Sequence, residues 1–227
     1  MARTFTLAEL IADVRARTDL QHDTGFVSDD ELTRYLNQSI AEWYELVVSA
    51  RGEQYFQKCA TLTVSPCGKA TLPADFYKLV GVDIEHGGRW LSLRPLPLAE
   101  RTRYMNDRSA AHPTRYQVMS GRTLTLLPAP RREMQCIVLY LPTAPALSLD
   151  SPSATFDGVS GWEEYAVVDA SIKVLQKGDR DVRVLLAQKV DMRRRIEEMA
   201  QDRHAEPSRI QDVTRGRFYD DDGWGCL

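Results

Sequence analysis

The sequence predicts an α+β protein: helices from both ends of the chain form a helical bundle, an antiparallel β-rich region is inserted between them, and an extended C-terminal arm follows. Three observations carry this expectation. Helix-start signals lie near both ends, the middle is made of short β-prone runs broken by Pro and Gly, and the last residues lose apolar periodicity altogether. The expected boundaries are residues 1–52 and 151–205 for the two helical parts, 53–150 for the β-rich insertion and 206–227 for the arm.

The first helices announce themselves by capping chemistry. Thr6 and Glu9, Ser28 and Glu31, and Ser160 and Glu163 each set a hydroxyl three residues before a carboxylate, so that both side chains can satisfy backbone N–H groups at a helix start. After the first signal Leu7, Leu10, Ile11 and Val14 recur at helical spacing. After the second, Leu32, Leu36, Ile40, Trp43 and Val47 do the same, so each helix has one apolar face.

From residue 53 the texture changes to "CATLTV", "LVGVDIE", "RWLSL", "RYQVM", "TLTLL" and "CIVLYL", separated by turn residues such as "HGG" at 86–88 and "SG" at 120–121. This predicts antiparallel strands built from hairpins. Within them only "PLAERTRYMND" reads as a short helix, opened by Pro97 at a permitted position.

Helical spacing returns after residue 160. Tyr165, Val168, Ile172 and Leu175 form one stripe, and Val182, Leu185, Met192, Ile196 and Met199 form another, with Lys189 intruding where an apolar residue is expected. Gly178 predicts a break between the two helices, because Gly is costly inside a helix and favoured just past its end. Asp179 is placed to cap the second helix, and Lys173 and Lys177 to complement the negative end of the first. Asp169 and Lys173, four residues apart, are expected to form a surface pair.

Composition bounds the function. The chain has 227 residues, 43% hydrophobic and 27% charged, and no apolar run approaches the ~20 residues of a membrane span. The N-terminal "MARTFTLAELIADVRART" is already amphipathic and lacks a signal-peptide core, so a soluble protein of the cytoplasm is expected. Cys59, Cys67, Cys136 and Cys226 show no zinc-like spacing and are expected as free thiols. A net charge of -3 offers nucleic acid no global attraction.

Candidate chemistry is sparse. Glu163, Glu164 and Asp169 are explained by capping, helix-dipole and pairing roles. His22, His86, His112 and His204 are isolated in sequence, so a metal would need tertiary convergence, and "YDDDGW" lacks the ligand pattern of a calcium loop. There is no phosphate loop or nucleophile elbow. No catalytic, cofactor-binding or metal residue is therefore predicted. Two alternatives stay open: an enzyme assembled from His112, Asp75 and Glu163, and a DNA-binding accessory protein using Arg193, Arg194 and Arg195. Glu197 and Glu198 follow that arginine cluster and favour a salt-bridged face.

The phrases "LPADFYKLVGVD", "PTRYQVMSGRTLTLLPAP", "IVLYLPTAP" and "WEEYAVVDASIKVLQKGDRDV", following two capped helices, resemble the head-to-tail adaptor, or connector, proteins of tailed bacteriophages over most of residues 5–213. The resemblance implies a non-enzymatic virion-neck protein, assembled in the host cytoplasm, that binds the portal as a homo-oligomeric ring of about twelve copies. It implies a part in the DNA channel, through which DNA passes without specific binding, and in the platform for tail or neck proteins. A stopper or tail-completion role is the alternative within the same class. Carried onto this chain, the arm would bind the portal through Ile210, Val213, Phe218, Tyr219 and Trp224, and Tyr165, Val168, Ile172 and Leu175 would pack between subunits.

Overall fold

The computed structural model describes residues 4–200 apart from residues 22, 24, 51, 107–111, 120, 152 and 160. A short strand, β1 (Thr4–Thr6), leads into α1 (Leu7–Arg17) and α2 (Asp29–Ser49). A 3-10 turn at Gly52–Tyr55 opens the strand-rich region: β2 (Lys58–Val64), β3 (Lys69–Thr71), β4 (Phe76–His86), β5 (Arg89–Ser92) and β6 (Arg94–Pro95). After a 3-10 turn at Leu98–Glu100 come α3 (Arg101–Asn106), β7 (Arg115–Met119), β8 (Thr123–Leu127) and β9 (Met134–Pro142). The chain closes with β10 (Thr155–Asp157), α4 (Glu163–Lys177) and α5 (Arg183–Met199). The expected arm and Cys226 lie outside the described residues.

The capping chemistry is realised in full once. At α1 the Thr6 hydroxyl accepts from the Glu9 N–H at 3.3 Å, and the Glu9 carboxylate accepts from the Thr6 N–H at 2.8 Å. At α2 the Ser28 hydroxyl accepts from the Glu31 N–H at 3.2 Å, but the Glu31 carboxylate turns to Tyr35 and Lys177 instead of closing the box. At α4 the expected box does not define the start: Trp162 is the cap residue, with no side-chain cap bond, and the Glu163 carboxylate accepts from the Gly161 N–H at 2.8 Å. Ser160 lies outside the described residues.

The break between the last two helices falls at Gly178, as its placement predicts. The residue that turns the chain is Asp179, at φ 54°, so it does not cap α5. That helix begins after Val182, with the Asp181 carboxylate accepting from the Arg183 N–H at 3.0 Å.

Two cores organise the molecule. Leu10, Val14, Leu32, Leu36, Ile40, Trp43 and Val47 from the N-terminal helices pack with Phe156, Tyr165, Ala166, Ala170, Val174 and Ile196 from the far end of the chain. The β1–β10 ladder, which pairs Phe5 with Phe156, ties the same two ends together. Burial of these side chains, at ~25 cal/mol per Å² of apolar surface, holds segments more than 100 residues apart in one unit.

The second core belongs to the strands. One sheet has the order β2-β9-β4-β5 and the other β3-β8-β7-β6; Val64, Val82, Ile84, Cys136 and Val138 from the first meet Ala70, Leu124 and Leu126 from the second. The region is not built from hairpins alone. β2 pairs with β9, a partner remote in sequence, and β6 pairs with β7 in parallel through Arg94 and Arg115. The "HGG" turn does join a hairpin, β4–β5, with Gly87 and Gly88 at φ 61° and 74°; two successive positive φ angles are what a tight two-residue hairpin turn demands. No helix among the described residues is long and apolar enough to cross a membrane.

Candidate assembly surface

The chemistry of the C-terminal helices centres on Asp169. This carboxylate sits on the apolar stripe of α4 and is only 3% exposed, so its pair with Lys173 is a buried contact and not the expected surface one. It accepts from Lys173 Nζ at 2.8 Å, from Lys189 Nζ of α5 at 2.8 Å and from the Ser39 hydroxyl of α2 at 2.6 Å. Lys189 also meets Glu42 at 2.7 Å, and Glu42 accepts from the Tyr165 hydroxyl at 2.8 Å. Burial pushes the Asp169 carboxyl upward, but the hydrogen bonds from Lys173, Lys189 and Ser39 outweigh it and hold the group below the ordinary carboxylate range. For Lys189 burial works downward, and the bonds to Asp169 and Glu42 overcome it and raise the ammonium.

This cluster explains the intruding lysine. An aspartate on one apolar stripe and a lysine on another are each unfavourable alone and become favourable as partners. The pairing fastens α5 to α4 and α2, and α5 needs that fastening because Ile196 is its single buried side chain. Met192 is partly buried beside it, while Met199, expected on the same stripe, is exposed.

The stripe Tyr165, Val168, Ile172 and Leu175 faces the interior of the chain itself. The first three are buried and Leu175 is half-buried, so in the single chain this face is occupied by intramolecular packing. The outward apolar residues are different ones: Val184 is 79% exposed and Val190 66%, both on α5, and Trp90, Tyr77, Val118 and Met119 are exposed on the strands. Sequence periodicity passes over Val184 and Val190 because it selects the one stripe that continues. Their signal was the run "RVLLAQKV", which is apolar on more than one face. Ile210, Val213, Phe218, Tyr219 and Trp224 lie outside the described residues.

The residues of the enzymatic alternative do not converge. Asp75 accepts from Lys58 at 2.9 Å and from the Tyr140 hydroxyl at 3.0 Å, just before β4 begins. His112 stacks on His86 at 4.5 Å between ring centroids, at the other end of that strand, roughly 30 Å of extended chain away. Glu163 is buried at the start of α4. The His86–His112 stack is a tertiary pair that sequence spacing did not suggest, yet among the described residues no group of three or more His, Cys, Asp or Glu could hold a metal ion.

The arginines of the DNA-binding alternative are exposed on α5. Arg193 pairs with Glu197 at 2.9 Å and Arg194 lies 3.9 Å from Asp191, so acids on the same helix answer part of the charge. Cys59 and Cys67 are exposed free thiols, and Cys136 is buried.

A framework of this kind, two cores with an ionic clamp and outward apolar positions, suits assembly better than catalysis. No curated protein matches the chain. The family model described as SU10 adaptor protein matches residues 5–214, nearly the whole chain, and the protein belongs to this family of phage head-to-tail adaptors.

Proposed function

We propose that the protein acts in the virion neck as a ring of about twelve copies seated beneath the portal, where it forms part of the DNA channel and a docking platform for tail components. The observation that carries this reading is the family match across residues 5–214. Charge supports the channel role: at a net charge of -3 the chain gives DNA no general electrostatic hold, as suits a passage through which DNA must move. In this reading residues 206–227 reach onto the portal, with Ile210, Val213, Phe218, Tyr219 and Trp224 as anchors, and the protein performs no catalysis.

The test is reconstitution. Full-length protein mixed with purified portal rings should co-sediment with them, whereas a chain lacking residues 206–227 should keep its circular dichroism spectrum and lose docking. Unchanged docking by the shortened chain removes the arm from the account. DNA retention should be weak at low salt and show no steep salt dependence; a steep fall with added salt would favour a DNA-binding protein instead.

A further inference from the structure

We propose that the outward face of α5 is one half of a head-to-tail contact between copies of this chain, and that the acidic hollow around Leu149 is the other half. The proposal rests on the ring reading above and adds which surfaces meet.

The first half is an unpartnered helix face. Lys189 and Ile196 turn α5 inward, which leaves Val184, Ala187, Val190 and Arg194 along its outer side at spacings of three and four residues. A surface helix ordinarily carries polar residues there. Instead this one presents Val184 and Val190 to solvent, followed by the exposed Arg194 and Arg195.

The second half is a preformed hollow of about 280 Å³ lined by Asp30, Thr33, Arg34, Leu147, Leu149 and Asp150. Leu149 is 45% exposed at its rim. The loop that builds it is pinned to α2 by Asn37, which donates to the Leu147 carbonyl and accepts from the Leu147 N–H, both at 2.8 Å. Asp30 and Asp150 are exposed beside one cation, Arg34, with Asp29 close by in sequence and paired to Arg15. An apolar rim among acids complements an apolar face that ends in arginines.

The two halves lie on different flanks of the protomer. Asn37 holds the hollow and Glu42 holds α5, and five residues at ~100° each set them roughly 140° apart around α2. Complementary patches on opposite flanks make each copy bind the next through unlike surfaces, the arrangement that closes into a ring. A self-complementary contact of α5 on α5 would instead bring arginines onto arginines.

Two full-length variants at exposed positions test this, Val190→Asp on α5 and Leu149→Arg at the hollow. Native mass spectrometry would count copies both free at high concentration and on portal rings. Each variant alone should lose at least tenfold in self-association or in cooperative loading. Mixed in equal amounts, the two should recover a single contact and stop at a heterodimer, because one intact α5 face meets one intact hollow. Variants that assemble like the wild type overturn the proposal and leave the adaptor reading standing. A Val190→Asp loss beside full loading by Leu149→Arg overturns it too, and assigns α5 to the portal. A wild type that neither self-associates nor loads overturns both.

Discussion

Replacing Asp169 by Asn keeps the shape of the side chain and removes its charge. Three donors then lose a charged acceptor: Lys173 and Lys189 Nζ, each at 2.8 Å, and the Ser39 hydroxyl at 2.6 Å. A hydrogen bond to a charged group contributes about 1.5–3 kcal/mol net, and breaking a fully buried ion pair costs about 3–5 kcal/mol. Lys173 and Lys189 retain 25% and 22% side-chain exposure, so both ammonium groups can turn partly to water, and the losses do not add. The expected destabilisation is therefore about 2–3 kcal/mol, well above the ~0.5 kcal/mol of an exposed helix pair such as Arg193–Glu197. Urea unfolding followed by circular dichroism would read this as a midpoint lowered by about 1 M. The loss should also be local. Amide exchange in Arg183–Met199 should accelerate more than in β4 or β9, because Ile196 is the one buried side chain of α5. A change below ~0.5 kcal/mol, or exchange that rises equally in both cores, would refute the view that Asp169 clamps this helix.

The same carboxylate gives the fold an acid limit. Because its folded-state pKa is lowered, its contribution is complete above the ordinary value of about 3.9 and is lost as pH falls through the folded value. A pH series of unfolding midpoints should decline below about pH 4 and flatten in Asp169→Asn. Gly158→Ala should lower Tm by several degrees, from about 1–3 kcal/mol of overpacking: an added Cβ would stand 2.4 Å from the Glu163 nitrogen and displace the start of α4. Thiol alkylation followed by peptide mapping should modify Cys67 well before Cys136. The hydrogen bond with Ser65, at 2.9 Å, lowers the exposed Cys67 thiol, while burial pushes Cys136 up to about 11. Ser65→Ala should slow the reaction of Cys67, and an unchanged rate would contradict that cause.

Local signals in the sequence were read well where they act alone. The Thr6–Glu9 capping box, the Gly87–Gly88 turn and the Gly178 break each need only neighbouring residues, and each appears in the structure. Contacts between distant segments were less legible. Asp169 looked like a surface partner of Lys173 because i,i+4 spacing is local, whereas Lys189 and Ser39, which explain its burial, come from two other helices. The pairing of β2 with β9 and the parallel β6–β7 contact depend on how sheets close, which turn chemistry does not encode. The apolar stripe of α4 was read as a subunit face because periodicity marks a residue as buried without saying against what. In the folded chain α1 and α2 cover it, and the outward apolar positions fall on α5.

The claim that this chain is a ring-forming neck adaptor is tested most directly by electron cryo-microscopy of portal rings incubated with the full-length protein. The account predicts a continuous ring of adaptor density beneath the portal, with α5 of each copy facing the Leu149 hollow of the next and DNA able to pass through the centre. Bare portal rings beside free monomeric protein would contradict it.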